Sequence, residues 1–139
     1  MFSPRRLILL LGCIVFVGFS SCNEDDSVSE VEPSQFREAM LGTWEIVEPP
    51  ASNRTKIKYW GLDRWAITDF DTTTGEVIFH HGGTYTLDGT TYAETIDFAI
   101  ESTQDLIGTT YTFEINIQGD TFTQTGVGNF LTEVWTRLK

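Results

Sequence analysis

Beyond Gly42, apolar and polar side chains alternate with a period of two, most clearly in two runs. In "YAETIDFAI" (Tyr92–Ile100), Tyr92, Glu94, Ile96, Phe98 and Ile100 share one face, and Ala93, Thr95, Asp97 and Ala99 take the other. In "YTFEINI" (Tyr111–Ile117), Tyr111, Phe113, Ile115 and Ile117 oppose Thr112, Glu114 and Asn116. Successive side chains on a strand point to opposite sides, so one apolar face per run predicts an antiparallel sheet wrapped on a single core. Turn formers separate the runs: Thr74-Gly75, Gly82-Gly83, Asp88-Gly89, Gly119-Asp120 and Gly128-Asn129. The pattern gives strands at 42–48, 55–60, 63–71, 76–81, 83–88, 91–100, 109–118, 120–127 and 131–138. The two runs flanking Gly82-Gly83 also read as one long strand with a glycine kink, which leaves eight. All 20 threonines lie at or after Thr43, and β-branched residues favour a pleated surface, in keeping with an all-β domain. About eight strands with short links predict an up-and-down antiparallel β-barrel, with a sandwich as the alternative. A short helix should precede it, with Ser34 as N-cap and Phe36, Ala39 and Met40 on one side, ending before Gly42.

The head of the first strand, "MLGTWEIV" (Met40–Val47), sets a glycine two residues before a tryptophan. In a small barrel the first strand must come tight against the last. Gly42 allows that approach, and Trp44 on the same face plugs the floor. The last strand, "EVWTRLK", carries Trp135 and Arg137. A guanidinium laid over an indole contributes about 0.5–2 kcal/mol, so Gly42, Trp44, Trp135 and Arg137 are expected to close the barrel. Gly42-Thr43-Trp44, with an arginine in the closing strand, resembles the lipocalin and fatty-acid-binding (calycin) signature. "GGTYTLDGTTYAETIDF" (Gly82–Phe98) followed by "EVWTRLK" is similar to small lipocalin-like lipoproteins of uncharacterised function in Bacteroidetes. The likeness covers about residues 35–139. It implies a lipocalin-like barrel at 34–139 that binds a small apolar or amphipathic molecule, and it leaves that molecule's identity open.

The N-terminus has a different character. Arg5 and Arg6 precede an uncharged apolar run, Leu7–Phe19, of 13 residues. A helix needs about 20 residues to cross roughly 30 Å of hydrocarbon, so the run predicts a cleaved signal. Ser20-Ser21-Cys22 resembles the lipobox of bacterial lipoproteins, which implies a signal peptide at 1–21 and a lipidated Cys22. Residues 22–33 form an acidic, nearly apolar-free tether of the composition that stays disordered. Its acids directly behind the cysteine resemble the surface-export signal of Bacteroidetes lipoproteins. The implied location is the outer membrane, lipid-anchored and surface-exposed. After cleavage, 20 acids face seven bases, a net charge of −13, which disfavours nucleic acid as a partner. Cys22 is then the only cysteine, so no internal disulfide forms. The smaller intracellular-type barrel is therefore the better analogue.

Candidate chemistry is sparse. His80 and His81 are the only histidines and, as neighbours on a strand, point to opposite faces. They read as a polar strand end or as one histidine facing the interior, and no metal or cofactor is expected. Glu94 shares the face of Tyr92 and Ile96, as a polar contact for a ligand or as a rim residue; Asp97 has the opposite parity and cannot pair with it. Asp69 and Asp71 flank "DFDTTTGE", which lacks the glycine and terminal glutamate spacing of a calcium loop. Arg54, Lys56, Lys58 and Arg64 either steer an anionic ligand such as a fatty-acid headgroup or form a solvated outer face. No catalytic nucleophile constellation is present, so an enzyme is not expected. Tyr85, Leu87, Tyr92, Glu94, Ile96, Phe98, Tyr111, Phe113, Ile115 and Phe122 are the expected ligand-facing residues. The competing reading is a barrel plugged by these side chains, serving as an interaction or structural module at the cell surface.

Overall fold

A computed structural model of the protein describes residues 33–139; the expected signal peptide, Cys22 and the expected tether up to residue 32 lie outside the described residues. Helix α1 (Pro33–Met40) leads into β1 (Gly42–Glu48), β2 (Arg54–Trp60), β3 (Arg64–Asp71), β4 (Val77–Asp88), β5 (Thr91–Ala99), β6 (Thr110–Gln118), β7 (Thr121–Gly126) and β8 (Thr132–Arg137). Each strand pairs antiparallel with the next, and β1 pairs with β8, closing an eight-stranded up-and-down barrel. The helix begins at Pro33, one residue ahead of the expected cap.

β4 runs unbroken through Gly82-Gly83, so the long-strand reading holds and nine runs become eight strands. Both glycines are required by close backbone approach. A Cβ on Gly82 would collide with the Trp65 carbonyl, and one on Gly83 with the Thr95 carbonyl. The partner strand bulges here: Gly82 opposes Phe98 while Gly83 opposes Ile96, which leaves Asp97 as an extra residue. An extra residue reverses the faces of everything beyond it. Ala99 therefore sits opposite His81, and Phe98, expected inside, turns outward and is 41% exposed. Its ring covers the missing side chain of Gly82 and lies 5.5 Å from the outward-facing His80.

One end of the barrel is sealed by the helix. Trp44 is fully buried, and its Nε1 donates to the Met40 carbonyl at 2.9 Å. The Arg137 guanidinium lies 4.1 Å from the centre of the Trp44 ring. Its Nη1 and Nη2 donate to the carbonyls of Leu41 (2.7 Å) and Ala39 (2.6 Å), groups that a helix end leaves without partners. Gly42, at φ +122°, leaves room for this guanidinium: a Cβ would sit 3.2 Å from Arg137 Nη1. Above that seal the Trp60 ring meets Trp44, Tyr92, Phe122 and Trp135 edge-on. Such edge contacts add about 0.5–1.5 kcal/mol each beyond the burial itself. The opposite end carries the β1–β2, β3–β4, β5–β6 and β7–β8 connections, with a 3₁₀ segment at Glu101–Leu106 in the third.

Candidate functional site

β2 is inverted relative to an ordinary barrel strand. Arg54, Lys56 and Lys58 share the inner face with Trp60, while Tyr59 points out at 52% exposure. The inward direction follows from register: Lys58 opposes Trp44 on β1 and Ile67 on β3, both inward residues. A buried ammonium is costly unless it is paired and hydrogen-bonded, and here it is both. Lys58 Nζ donates to Glu94 Oε2 at 2.6 Å and to Gln124 Oε1 at 3.3 Å. The rings of Trp60 and Trp65, each 4.8 Å away, and of Tyr92, Phe113 and Trp135 surround it. Glu94 Oε2 also accepts from the Tyr92 hydroxyl at 2.8 Å, which in turn accepts from Trp60 Nε1 at 2.9 Å. Gln124 Nε2 donates to Glu133 Oε2 at 2.9 Å, and Lys56 Nζ donates to Glu133 Oε1 at 2.8 Å. Arg54 grips Asp69 with two bonds, at 3.0 and 2.6 Å. From Trp60 through Tyr92, Glu94, Lys58, Gln124 and Glu133 to Lys56 the bonds form one connected polar layer, and Arg54–Asp69 is a separate pair beside it. Burial first, and then the neighbouring Glu94 carboxylate, hold the Tyr92 phenol well above its ordinary pKa, so it remains a donor.

On the open side of this layer lies a cavity of about 240 Å³. Trp65, Ile67, Phe79, Tyr111, Phe113 and Leu131 supply apolar wall; Lys56, Lys58, Glu94, Gln124 and Glu133 supply its polar base; Thr103, Leu106 and His81 complete it. A neighbouring recess of about 330 Å³, bounded by Pro49, Pro50, Ala51, Ile46, Arg54 and Asp69, shares Lys56 and Phe79 with it. Those two side chains therefore form the partition between the recesses. His81 stacks on Phe79 at 5.1 Å and meets Trp65 edge-on at 5.8 Å. Burial above all, and then the positive charges of Lys58, His80 and Lys56, push its pKa down to about 4, so the imidazole is neutral near pH 7. Among the described residues, His81 Nδ1 and Thr103 Oγ1 are buried without a hydrogen-bond partner.

Of the ligand-facing residues expected from sequence, Glu94, Tyr111 and Phe113 border the cavity. Tyr85, Tyr92, Ile96, Ile115 and Phe122 are buried in the packed core, and Leu87 packs against it, so these six fill the interior. Phe98 belongs to the outer surface, for the bulge described above. The outer-face reading fails for Lys56 and Lys58, which Glu133 and Glu94 receive inside, while Arg54 shares their parity but lies exposed at the rim, paired with the buried Asp69. Arg64 fits that reading, exposed and 3.3 Å from the outward Asp97. Asp69 and Asp71 part ways: the first faces Arg54, and the second accepts the amides of Thr73 and Thr74 to close the turn. His80 faces out toward Thr68, and His81 faces in.

Sequence reasoning offered one histidine facing the interior, which is His81, and weighed Lys56 and Lys58 only as anion-steering or solvated residues; it missed Trp65, Ile67, Phe79, Thr103, Leu106, Gln124, Leu131 and Glu133. A usable signal existed for several of them. Lys56 and Lys58 have the parity of Trp60, Gln124 that of Phe122, and Glu133 that of Trp135. Each is thereby assigned to the face of a large aromatic. No protein-family model matches the chain, and no curated protein sequence matches it either.

Proposed function

We propose that the protein is a lipid-anchored, lipocalin-like barrel that holds a small apolar or amphipathic molecule in the open half of its interior. The observation that carries this reading is the apolar-walled cavity of about 240 Å³ above a fully paired polar layer. Its volume falls below the ~300–1,000 Å³ of pockets for drug-sized ligands, so the guest is small. The likeness of Gly42-Thr43-Trp44 and Arg137 to the calycin signature supports the same class. The lipobox-like Ser20-Ser21-Cys22 and the acids behind it support anchoring in the outer membrane with the domain facing outward. The role is one of binding, without catalysis.

The neutral apolar dye N-phenyl-1-naphthylamine tests the binding reading. Added to the purified protein, it should gain fluorescence and quench Trp65, and the quench should shrink in Trp65→Phe. Cys22→Ala should move the protein from the membrane fraction to the soluble one, and protease treatment of intact cells should degrade the barrel.

The rim favours a second reading. Phe130 is 95% exposed, and Val127, Leu131 and Ile107 are exposed on the same open-end connections. An apolar rim suits a module that docks a protein partner. Absence of dye binding, with no small molecule retained in native mass spectrometry, would favour that module over the binder.

A further inference from the structure

Each cation on the inner face of β2 already has its own anion. Arg54 sits 2.6 Å from Asp69, Lys56 2.8 Å from Glu133, and Lys58 2.6 Å from Glu94. The charged residues that border the inner cavity, Lys56, Lys58, Glu94 and Glu133, sum to zero. An arriving carboxylate finds no uncompensated cation there: it would give up its hydration to meet lysines whose charge Glu133 and Glu94 already balance, with those two carboxylates close by. An uncharged guest carries no such cost. For it the cavity offers apolar walls, the stacked faces of Phe79 and His81, and two polar side chains, His81 and Thr103, whose Nδ1 and Oγ1 have no partner among the described residues. A neutral imidazole and a hydroxyl can each give or take one hydrogen bond, which matches a hydroxyl, carbonyl or amide.

Resting on the ligand-binding reading above, we infer that the guest is an electrically neutral, mostly apolar small molecule with a single hydrogen-bonding group met by His81 and Thr103, and that fatty-acid carboxylates are discriminated against by the paired interior charges.

Competition against N-phenyl-1-naphthylamine at pH 7.5 tests this, with 1-octanol and octanoate as matched competitors on the purified protein. The expected result is displacement by 1-octanol at a concentration at least tenfold lower than by octanoate. Glu133→Gln releases Lys56 from its carboxylate and should improve octanoate at least tenfold relative to 1-octanol; an unchanged ratio would overturn the role given to the paired charges. His81→Phe should weaken 1-octanol at least threefold, and an unchanged value would overturn the role given to His81. Octanoate competing as well as 1-octanol in the unaltered protein would overturn the inference and leave the binding reading standing. No dye binding at all would remove both.

Discussion

Lys58 Nζ and Glu94 Oε2 meet 2.6 Å apart at the centre of the barrel, with both side chains almost wholly withdrawn from water. Each is tolerable there because of the other. Lys58→Met strands the Glu94 carboxylate and should cost about 3–5 kcal/mol in urea unfolding. Adding Glu94→Gln to that variant removes the stranded charge, and the amide oxygen can still accept from Tyr92. The double variant should therefore recover at least half of the loss. Single-variant losses that simply add would show that the two residues are not coupled.

Arg137 is expected to matter more than a terminal-strand arginine ordinarily does. Arg137→Ala removes the stacking on Trp44 and the donors to Ala39 and Leu41 together. The combined loss should be about 2–4 kcal/mol. Lysine keeps the charge but cannot fork to two carbonyls, so Arg137→Lys should restore no more than half. Thermal unfolding of the three proteins side by side decides the point.

The glycines of the chain should separate into two groups. Gly82→Ala and Gly83→Ala drive a Cβ into the carbonyl oxygens of Trp65 and Thr95, and neither variant should give a protein with native near-ultraviolet circular dichroism. Gly75 has φ +76° and open space around it, so Gly75→Ala should cost only about 1 kcal/mol. Soluble, native-like Gly83→Ala protein would contradict the close packing of β4 on β5.

Acid should weaken the fold in a window assignable to His81. Its pKa lies near 4 in the folded protein, below the ordinary 6.5, so the unfolded chain binds the proton more readily. Stability therefore falls as pH drops from 6.5 toward 4, by about 1–2 kcal/mol at pH 5. His81→Phe should lose less over the same interval. Asp71, held below the usual carboxylate range by the amides of Thr74 and Thr73, acts only below pH 3.8, as does Asp120 beside Lys139, and both leave the window clear. Equal pH slopes for the two proteins would exclude His81 as the source.

The barrel was legible in the sequence because backbone pairing follows side-chain period. Tyr111, Phe113 and Ile115 alternate cleanly and lie inward as read. Phe98 misled because the bulge at Asp97 depends on Gly82 and Gly83 of the facing strand, a relation between two segments that one strand's pattern does not carry. Lys58 misled for a different reason. Charge is an outward signal only while no opposite charge waits inside, and Glu94 and Glu133 are separated from Lys58 and Lys56 by long stretches of chain. Thr103 and Leu106 reach the cavity from a connection whose path no periodicity records.

Helix α1 joins the barrel at its sealed pole, tied down by Arg137 and by the bond from Arg37 Nη1 to the Leu62 carbonyl. The described chain therefore enters at the plugged pole, and the lips of the cavity lie at the other. Under the proposed function, the pull of an anchor and the passage of a guest would fall on opposite poles of the barrel.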